Sequence, residues 1–247
     1  MHILMAQINT VVGDFEGNTD QVLEVVRDAV AQQSSPLVVF PELTLSGYPP
    51  EDLLLRPSVA TRVAKALARL KTELPSEAWV VIGYPRRGKQ GELDVLYNSA
   101  GVLHDGKLVA ECDKQALPNY QVFDEKRYFV EGDEPCVFSC DGTMVAVTIC
   151  EDIWVPAPAR SAAAAGAELL VNLNASPFHR GKQAQRYRVV GDRARETGLP
   201  VVYVNQVGGQ DELVFDGGSF ACGARGNPVS GAGRFERAMH WLEYEAD

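Results

Sequence analysis

The stretch Tyr97-Asn98-Ser99-Ala100-Gly101-Val102-Leu103-His104-Asp105-Gly106-Lys107-Leu108-Val109-Ala110-Glu111-Cys112-Asp113 decides the class of fold. Two apolar runs, Tyr97 to Leu103 and Lys107 to Asp113, are joined by His104-Asp105-Gly106, and Asp-Gly between such runs signals a tight β-hairpin. A hairpin pairs its strands antiparallel, so the sheet that contains it cannot be purely parallel. The segments on either side alternate between strand and helix patterns. Before the hairpin, Asn18 and Thr19 can cap a helix whose apolar positions Val22, Val25, Val26, Ala29 and Val30 recur at helical spacing. Pro36 precedes the apolar run Leu37-Val38-Val39-Phe40, a buried strand ending at Pro41-Glu42. A second helix starts near Ser58 with Val59, Val63, Ala66, Leu67 and Leu70 on one face, and a strand follows from Trp79 to Tyr84. After the hairpin, Met144 to Ile149, Leu169 to Leu173 and Val201 to Val204 read as strands. Ala157 to Ala167 and Gln183 to Glu196 read as the helices between them, and Gly217 to Gly233 as a Gly-rich hairpin region. The pattern predicts an α/β protein with a mixed sheet, or two sheets stacked between helices.

The 247 residues are 46% hydrophobic and 23% charged, with a formal net charge of −10. That composition is globular, and a chain of this length can form one large core, so one domain over residues 1–247 is expected. The acidic balance argues against a nucleic-acid partner, which would need Lys and Arg to displace phosphate counterions. No apolar run reaches about 18 residues, so no membrane-spanning helix is expected. The start, Met1 to Asn9, has no basic segment, long apolar stretch or cleavage site, and reads as a first strand. The five cysteines, Cys112, Cys136, Cys140, Cys150 and Cys222, are odd in number and irregularly spaced. They form no disulfide framework and point to a reducing cytoplasm. Cys136 and Cys140, with four scattered histidines, offer no metal-ligand spacing, so they read as packing residues and no metal is expected.

Three polar residues stand where apolar strands stop: Glu42, Lys114 and Cys150. In α/β proteins such strand ends are where catalytic groups are displayed. Met144 to Ile149 runs into Cys150-Glu151-Asp152 and then an Ala-rich helix, and a thiol on such a turn gains from nearby backbone N–H groups. Each residue has a plain alternative: a buried structural cysteine, a solvated strand cap, a surface lysine. Together they supply a nucleophile, a base and a cation that would lower the thiol pKa, which suits acyl transfer.

The same residues carry a resemblance. Phe40-Pro41-Glu42-Leu43, Lys114-Gln115-Ala116-Leu117-Pro118 and Thr148-Ile149-Cys150-Glu151-Asp152 are similar, in order and spacing, to the signature blocks of the nitrilase (carbon–nitrogen hydrolase) superfamily. The segments Leu45 to Leu54, Leu117 to Tyr120, Phe123 to Phe129 and Asn174 to Phe178 more narrowly resemble the glutaminase domain of glutamine-dependent NAD⁺ synthetases. The resemblance implies a four-layer α-β-β-α sandwich with mixed sheets and a Glu-Lys-Cys triad. In that scheme Cys150 attacks the side-chain amide of L-glutamine, Glu42 moves protons, and Lys114 steadies the oxyanion. Glu125 would be the second glutamate that orients them, and Tyr120, Phe123, Glu151, Ser176 and Lys182 would contact glutamine. A zwitterion needs both charges paired, so Glu151 suits the α-ammonium and Lys182 the α-carboxylate.

The resemblance implies no cofactor for the glutaminase step. ATP and Mg belong to a C-terminal synthetase domain, whose pyrophosphate loop has no counterpart here and which is expected to be absent from this chain. Val207-Gly208-Gly209-Gln210-Asp211 is only an echo of that loop. The NAD⁺ synthetase domain is therefore an expected attached or separate partner, and self-association into a homo-oligomer would cover open sheet edges. Rival readings are a stand-alone ω-amidase or other carbon–nitrogen hydrolase, and a non-catalytic partner of a synthetase. Gly83 to Gln90 nearly spells a phosphate-binding loop, but Gln90 stands where Ser or Thr is needed, so it reads as a solvated basic loop. The Asn174-Ala175-Ser176 sequon has no role in a cytoplasmic protein. The basic cluster His179, Arg180, Lys182, Arg186 and Arg188 reads as a solvated helix face, part of which would border the pocket in this family.

Overall fold

Successive residues of the apolar strands serve different layers, and this alternation builds the molecule. The computed structural model describes residues 1–245. In chain order the elements are β1 (His2–Gln7), α1 (Phe15–Gln32), β2 (Leu37–Val39), α2 (Ser58–Glu73), β3 (Trp79–Gln90), β4 (Leu93–His104), β5 (Lys107–Asp113), β6 (Cys136–Cys140), β7 (Thr143–Ile149), α3 (Pro156–Ala164), β8 (Leu169–Asn174), α4 (Lys182–Thr197), β9 (Val201–Asn205), β10 (Val207–Gln210), β11 (Leu213–Asp216), β12 (Phe220–Cys222), β13 (Pro228–Gly231) and β14 (Ala238–Glu243). One six-stranded sheet runs β14-β1-β2-β3-β4-β5 and a second runs β13-β12-β9-β8-β7-β6; β10 and β11 pair separately. Both are mixed: β1-β2-β3 and β7-β8-β9 are parallel, and the outer pairings are antiparallel.

Ile3, Met5, Leu37, Val39 and Val81 of the first sheet share a buried cluster with Val145, Val147, Leu169, Val171 and Val202 of the second. The residues between them point the other way. Leu4, Val38, Val80 and Ile82 pack on Val22, Val26, Val59 and Val63 of α1 and α2. Ala146, Leu170, Val201 and Tyr203 pack on Ala159, Ala162, Val190 and Ala194 of α3 and α4. The order of layers is therefore helix, sheet, sheet, helix, as the resemblance implied. Strands buried on both faces need apolar residues at consecutive positions, which is why Leu37-Val38-Val39 shows no alternation in its sequence. A fourth cluster, with Leu43, Tyr48, Leu117, Phe129 and Ala175, gathers the segments that leave β2, β5 and β8, together with Phe215 of β11.

Several expectations need correction. Asp14, not Asn18 or Thr19, caps α1: its Oδ1 accepts from the Gly17 N–H at 3.0 Å. Asn18 lies inside the helix and bonds the Val11 backbone and Leu45 O, while Thr19 Oγ1 donates to Phe15 O. Gly83 to Gln90 is no loop but the greater part of β3, paired with β4 along its length. Strand pairing with Leu93–Asn98 overrides its polar composition. Gly208 and Gly209 belong to the β10–β11 hairpin. Cys112 on β5 and Cys136 on β6 form a disulfide, their Cα atoms 5.5 Å apart, between edge strands of the two sheets. Cys136 is thus paired, through the stacking of two sheets, which its spacing along the chain could not reveal. Cys140, Cys150 and Cys222 are free and buried. Among the described residues no helix is long and apolar enough to cross a membrane.

Candidate active site

Glu42 follows β2 and is fully buried, while the next residue, Leu43, turns the chain with a φ of 48°. The turn lies on β3 at Gly83, where a Cβ would stand 2.4 Å from the Leu43 nitrogen. Only a residue without a side chain permits that approach. Lys114 follows β5 directly, and its N–H donates to Asn98 O at 2.8 Å, one step beyond the β4–β5 ladder. Cys150 follows β7, opens a single 3₁₀ turn through Ile153, and sits in the left-handed region at φ 46°. A residue with a Cβ is strained there, and such strain is found where a nucleophile is presented on a strand-to-helix turn.

Glu42, Lys114 and Glu125 form a buried triplet. Lys114 Nζ donates to Glu42 Oε1 at 2.7 Å and to Glu125 Oε1 and Oε2 at 2.9 and 2.8 Å. Asn98 Nδ2 donates to Glu42 Oε1 at 2.7 Å, and the Ala175 N–H to Glu42 Oε2 at 3.0 Å. Tyr48, buried, donates to Glu125 Oε1 at 3.2 Å. Burial works against the Lys114 charge, but Glu125 and Glu42 outweigh it and hold the ammonium well above its ordinary range. Burial, and then the Glu42 charge, lift the Glu125 carboxyl, although Lys114 and Tyr48 oppose them. At Cys150, burial and then the Glu42 charge push the thiol well up, with Lys114 pulling the other way. This reverses the expected direction: the lysine does not leave a resting thiolate, because burial and the surrounding carboxylates favour the neutral thiol. A protonated thiol needs a base before it can attack, and Glu42, whose charge acts on it, is the candidate.

The residues expected to contact substrate gather around this triplet. Tyr120 Oη donates to both Glu151 oxygens, at 3.0 and 2.9 Å, and its ring meets Phe123 edge-on with centroids 5.7 Å apart. Burial raises the Glu151 carboxyl, against the pull of Tyr120, Lys114 and Lys182. Lys182, first residue of α4, holds Nζ 4.1 Å above the centroid of Trp154, and burial lowers its pKa. Ser176 is buried: its N–H donates to Asn205 Oδ1 at 2.8 Å, and its carbonyl accepts from Arg186 at 2.8 Å.

Arg186 is wholly buried and ion-paired to Asp216 at 2.9 Å; within the basic cluster it is therefore structural rather than solvated. Sequence reasoning also passed over Tyr48, Asn98, Trp154 and Asn205. Tyr48 lay in plain sight within the quoted Tyr-Pro-Pro-Glu-Asp motif. The others carried no signal, since each is brought in by a neighbouring strand or turn. A cavity of about 190 Å³ is lined by Glu125, alone of the triplet, together with Tyr48, Leu43, Phe123, Tyr128 and Phe129; Cys150 does not line it.

Comparison with known proteins agrees with this geometry. Residues 4–240 match the carbon-nitrogen hydrolase family model. The glutamine-dependent NAD(+) synthetase of Xanthomonas campestris pv. campestris is 43% identical over 249 residues, covering all of this chain and 44% of the synthetase. The Aquifex aeolicus enzyme of the same name is 43% identical over 96% of this chain and 41% of its own length. The chain thus spans less than half the length of these relatives. Among solved structures, the glutamine-dependent NAD+ synthetase of Acinetobacter baumannii in complex with ADP superposes with a TM-score of 0.92 at 38% identity, over 99% of this chain and 45% of that one. An amidase from Nesterenkonia sp. superposes at 0.87 with 28% identity, over 100% of this chain and 91% of its own. With its layers, its strand-end carboxylate, lysine and cysteine, and a family match along nearly its whole length, the chain belongs to the carbon–nitrogen hydrolase family.

Proposed function

We propose that the chain hydrolyses the side-chain amide of L-glutamine to glutamate and ammonia through a thioester on Cys150. The observation that carries the reading is the buried Lys114 ammonium clamped between Glu42 and Glu125, beside a thiol that burial and Glu42 keep protonated. As Cys150 Sγ attacks the amide carbon, its proton passes to Glu42 and the amide oxygen becomes an oxyanion, stabilised by Lys114 and backbone N–H. Glu42 returns the proton to nitrogen as the tetrahedral adduct collapses, so ammonia leaves and the acyl–sulfur bond remains. Glu42 then takes a proton from water, whose oxygen attacks the thioester; glutamate departs and the thiol is restored.

Glu125 orients Lys114, while Glu151 and Lys182 pair with the α-ammonium and α-carboxylate of the substrate. Tyr120, Phe123 and Ser176 complete its pocket. In this reading the ammonia serves NAD⁺ synthesis, with ATP and Mg acting in an attached or partner synthetase domain; the names of the synthetase relatives support it. A homo-oligomer in the cytoplasm fits the same reading, although the Cys112–Cys136 disulfide removes the cysteine argument for that compartment, and sedimentation of a 26.9 kDa species alone would remove the oligomer.

A second reading is favoured by the amidase match, which spans 91% of that enzyme: a free-standing ω-amidase on a small primary amide. Ammonia release from L-glutamine and from its α-keto analogue, with Cys150→Ala alongside, separates the two. Turnover of glutamine that disappears in Cys150→Ala supports the first. Turnover of the keto analogue alone supports the second, because it has no α-ammonium for Glu151 to pair.

A further inference from the structure

The catalytic side chains come from strands of both sheets: Glu42 and Lys114 from the first, Cys150 from the second. Apolar contact between the sheets is non-directional and does not by itself set the offset of Lys114 against Cys150; the Cys112–Cys136 disulfide and the Ala175 N–H bond to Glu42 cross between the sheets as well, but neither touches the Cys150 turn. A directional link to that turn is supplied by one buried carboxylate. Asp152 is 1% exposed. Its Oδ1 accepts from the N–H groups of Gln115 at 3.0 Å and Ala116 at 2.8 Å, and its Oδ2 from the N–H of Ile149 at 2.9 Å. Gln115 and Ala116 continue the chain from Lys114, and Ile149 immediately precedes Cys150. The bond to Ile149 closes across Cys150, the residue held at φ 46°, and so also braces the strained turn.

We infer that Asp152 is a positioning residue that locks the Lys114 segment of one sheet to the Cys150 turn of the other, acting on the reaction through the placement of the lysine ammonium against the thiol. The inference rests on the Glu-Lys-Cys reading proposed above. An asparagine is nearly the same size and can keep one oxygen for Gln115 and Ala116, but it turns an N–H₂ toward the Ile149 N–H, where two donors then face each other. Misplacing reacting groups by about 1 Å costs on the order of 10²-fold in rate.

In the full chain, Asp152→Asn is therefore expected to lower kcat for L-glutamine by about 10²-fold, with KM within a few-fold and an unfolding midpoint close to that of the parent. The readout that a purely structural role would not move is the pH profile of Cys150 alkylation by iodoacetamide, which needs no turnover. With Lys114 displaced, the thiol loses the strongest of the nearby charges that lower its pKa, so the profile shifts to higher pH. In a Lys114→Ala background the same Asp152→Asn change should leave the profile where it is, since the group it acts through is gone. Equal shifts in both backgrounds, or a folded Asp152→Asn chain with parental kcat and profile, would overturn the inference. Should the asparagine chain not accumulate folded, Asp152→Glu, whose extra methylene moves both oxygens, runs through the same cycle with the same two outcomes. Full turnover in Cys150→Ala would instead remove the triad reading itself, an outcome distinct from failure of the Asp152 link alone.

Discussion

The buried triplet of Glu42, Lys114 and Glu125 and the rim of Tyr120, Glu151 and Lys182 satisfy their charges in different ways. In the triplet the polar groups pair with one another and with backbone or amide groups at strand ends, and none of the three is more than 6% exposed. At the rim, Tyr120 is 48% exposed and occupies both oxygens of Glu151, while Lys182 rests on Trp154 rather than on a carboxylate. The triplet met its desolvation cost on folding and is preorganised for charge that develops in the reaction. Under the proposed reading, the rim holds replaceable partners that a zwitterionic substrate would displace. The difference predicts that the triplet governs kcat and stability while the rim governs KM.

The largest effects should come from the triplet and its thiol. Cys150→Ala should abolish glutamine turnover. Glu42→Gln should lower kcat by about 10²- to 10⁴-fold, the usual worth of a general base. The same Glu42→Gln change should shift the pH profile of Cys150 alkylation to lower pH, whatever it does to the rate through loss of the base. The sign follows from the charges: Glu42 raises the thiol pKa, so its neutralisation lets the thiolate form at lower pH. An unshifted or upward-shifted profile in a folded Glu42→Gln chain would show that the carboxylate charge does not act on the thiol as described.

Next in size, Lys114→Met should destabilise the fold by about 3–5 kcal/mol, because it leaves two carboxylates buried without their cation. Denaturant unfolding of the variant measures this, and a change below about 1 kcal/mol, the worth of an exposed pair, would mean that water reaches the triplet. Gly83→Ala tests the same region through the backbone. Its Cβ would meet the Leu43 nitrogen, so Glu42 must shift and kcat should fall with KM little changed.

The rim should give smaller effects that fall on KM. Glu151→Gln should raise KM for L-glutamine by about tenfold to a hundredfold, the value of one charge-assisted hydrogen bond, and should leave the α-keto analogue unaffected. Trp154→Leu should raise KM only a few-fold, in line with a cation–π contact worth about 0.5–2 kcal/mol. If either change lowered kcat with KM constant, the division of labour between triplet and rim would fail.

How much of this was legible beforehand depended on whether the signal was local. The Asp105-Gly106 turn and the consecutive apolar residues of Leu37–Val39 and Met144–Ile149 report local backbone preference and burial, so strands and helices stood where they were read. The three strand-end residues were legible because a polar side chain interrupting an apolar run is itself an anomaly. Illegible were the pairings made by packing. The polar half of β3 reads as a loop until β4 supplies its hydrogen bonds. Cys112 and Cys136 meet only because β5 and β6 lie at matching edges of stacked sheets.

The sequence by itself determined the α/β class, the mixed sheets and the identity of Glu42, Lys114 and Cys150, since these follow from turn chemistry, burial pattern and residue type. Tertiary structure alone decided that Glu125, bonded by Tyr48, closes on Lys114, that Asp152 bonds both the lysine segment and the cysteine turn, and that burial and Glu42 push the thiol pKa up. Hydrogen-bond direction and pKa are set by which groups share a dry site and how far apart they stand. In this chain those groups come from opposite sheets, and no spacing along the sequence encodes the distance between them.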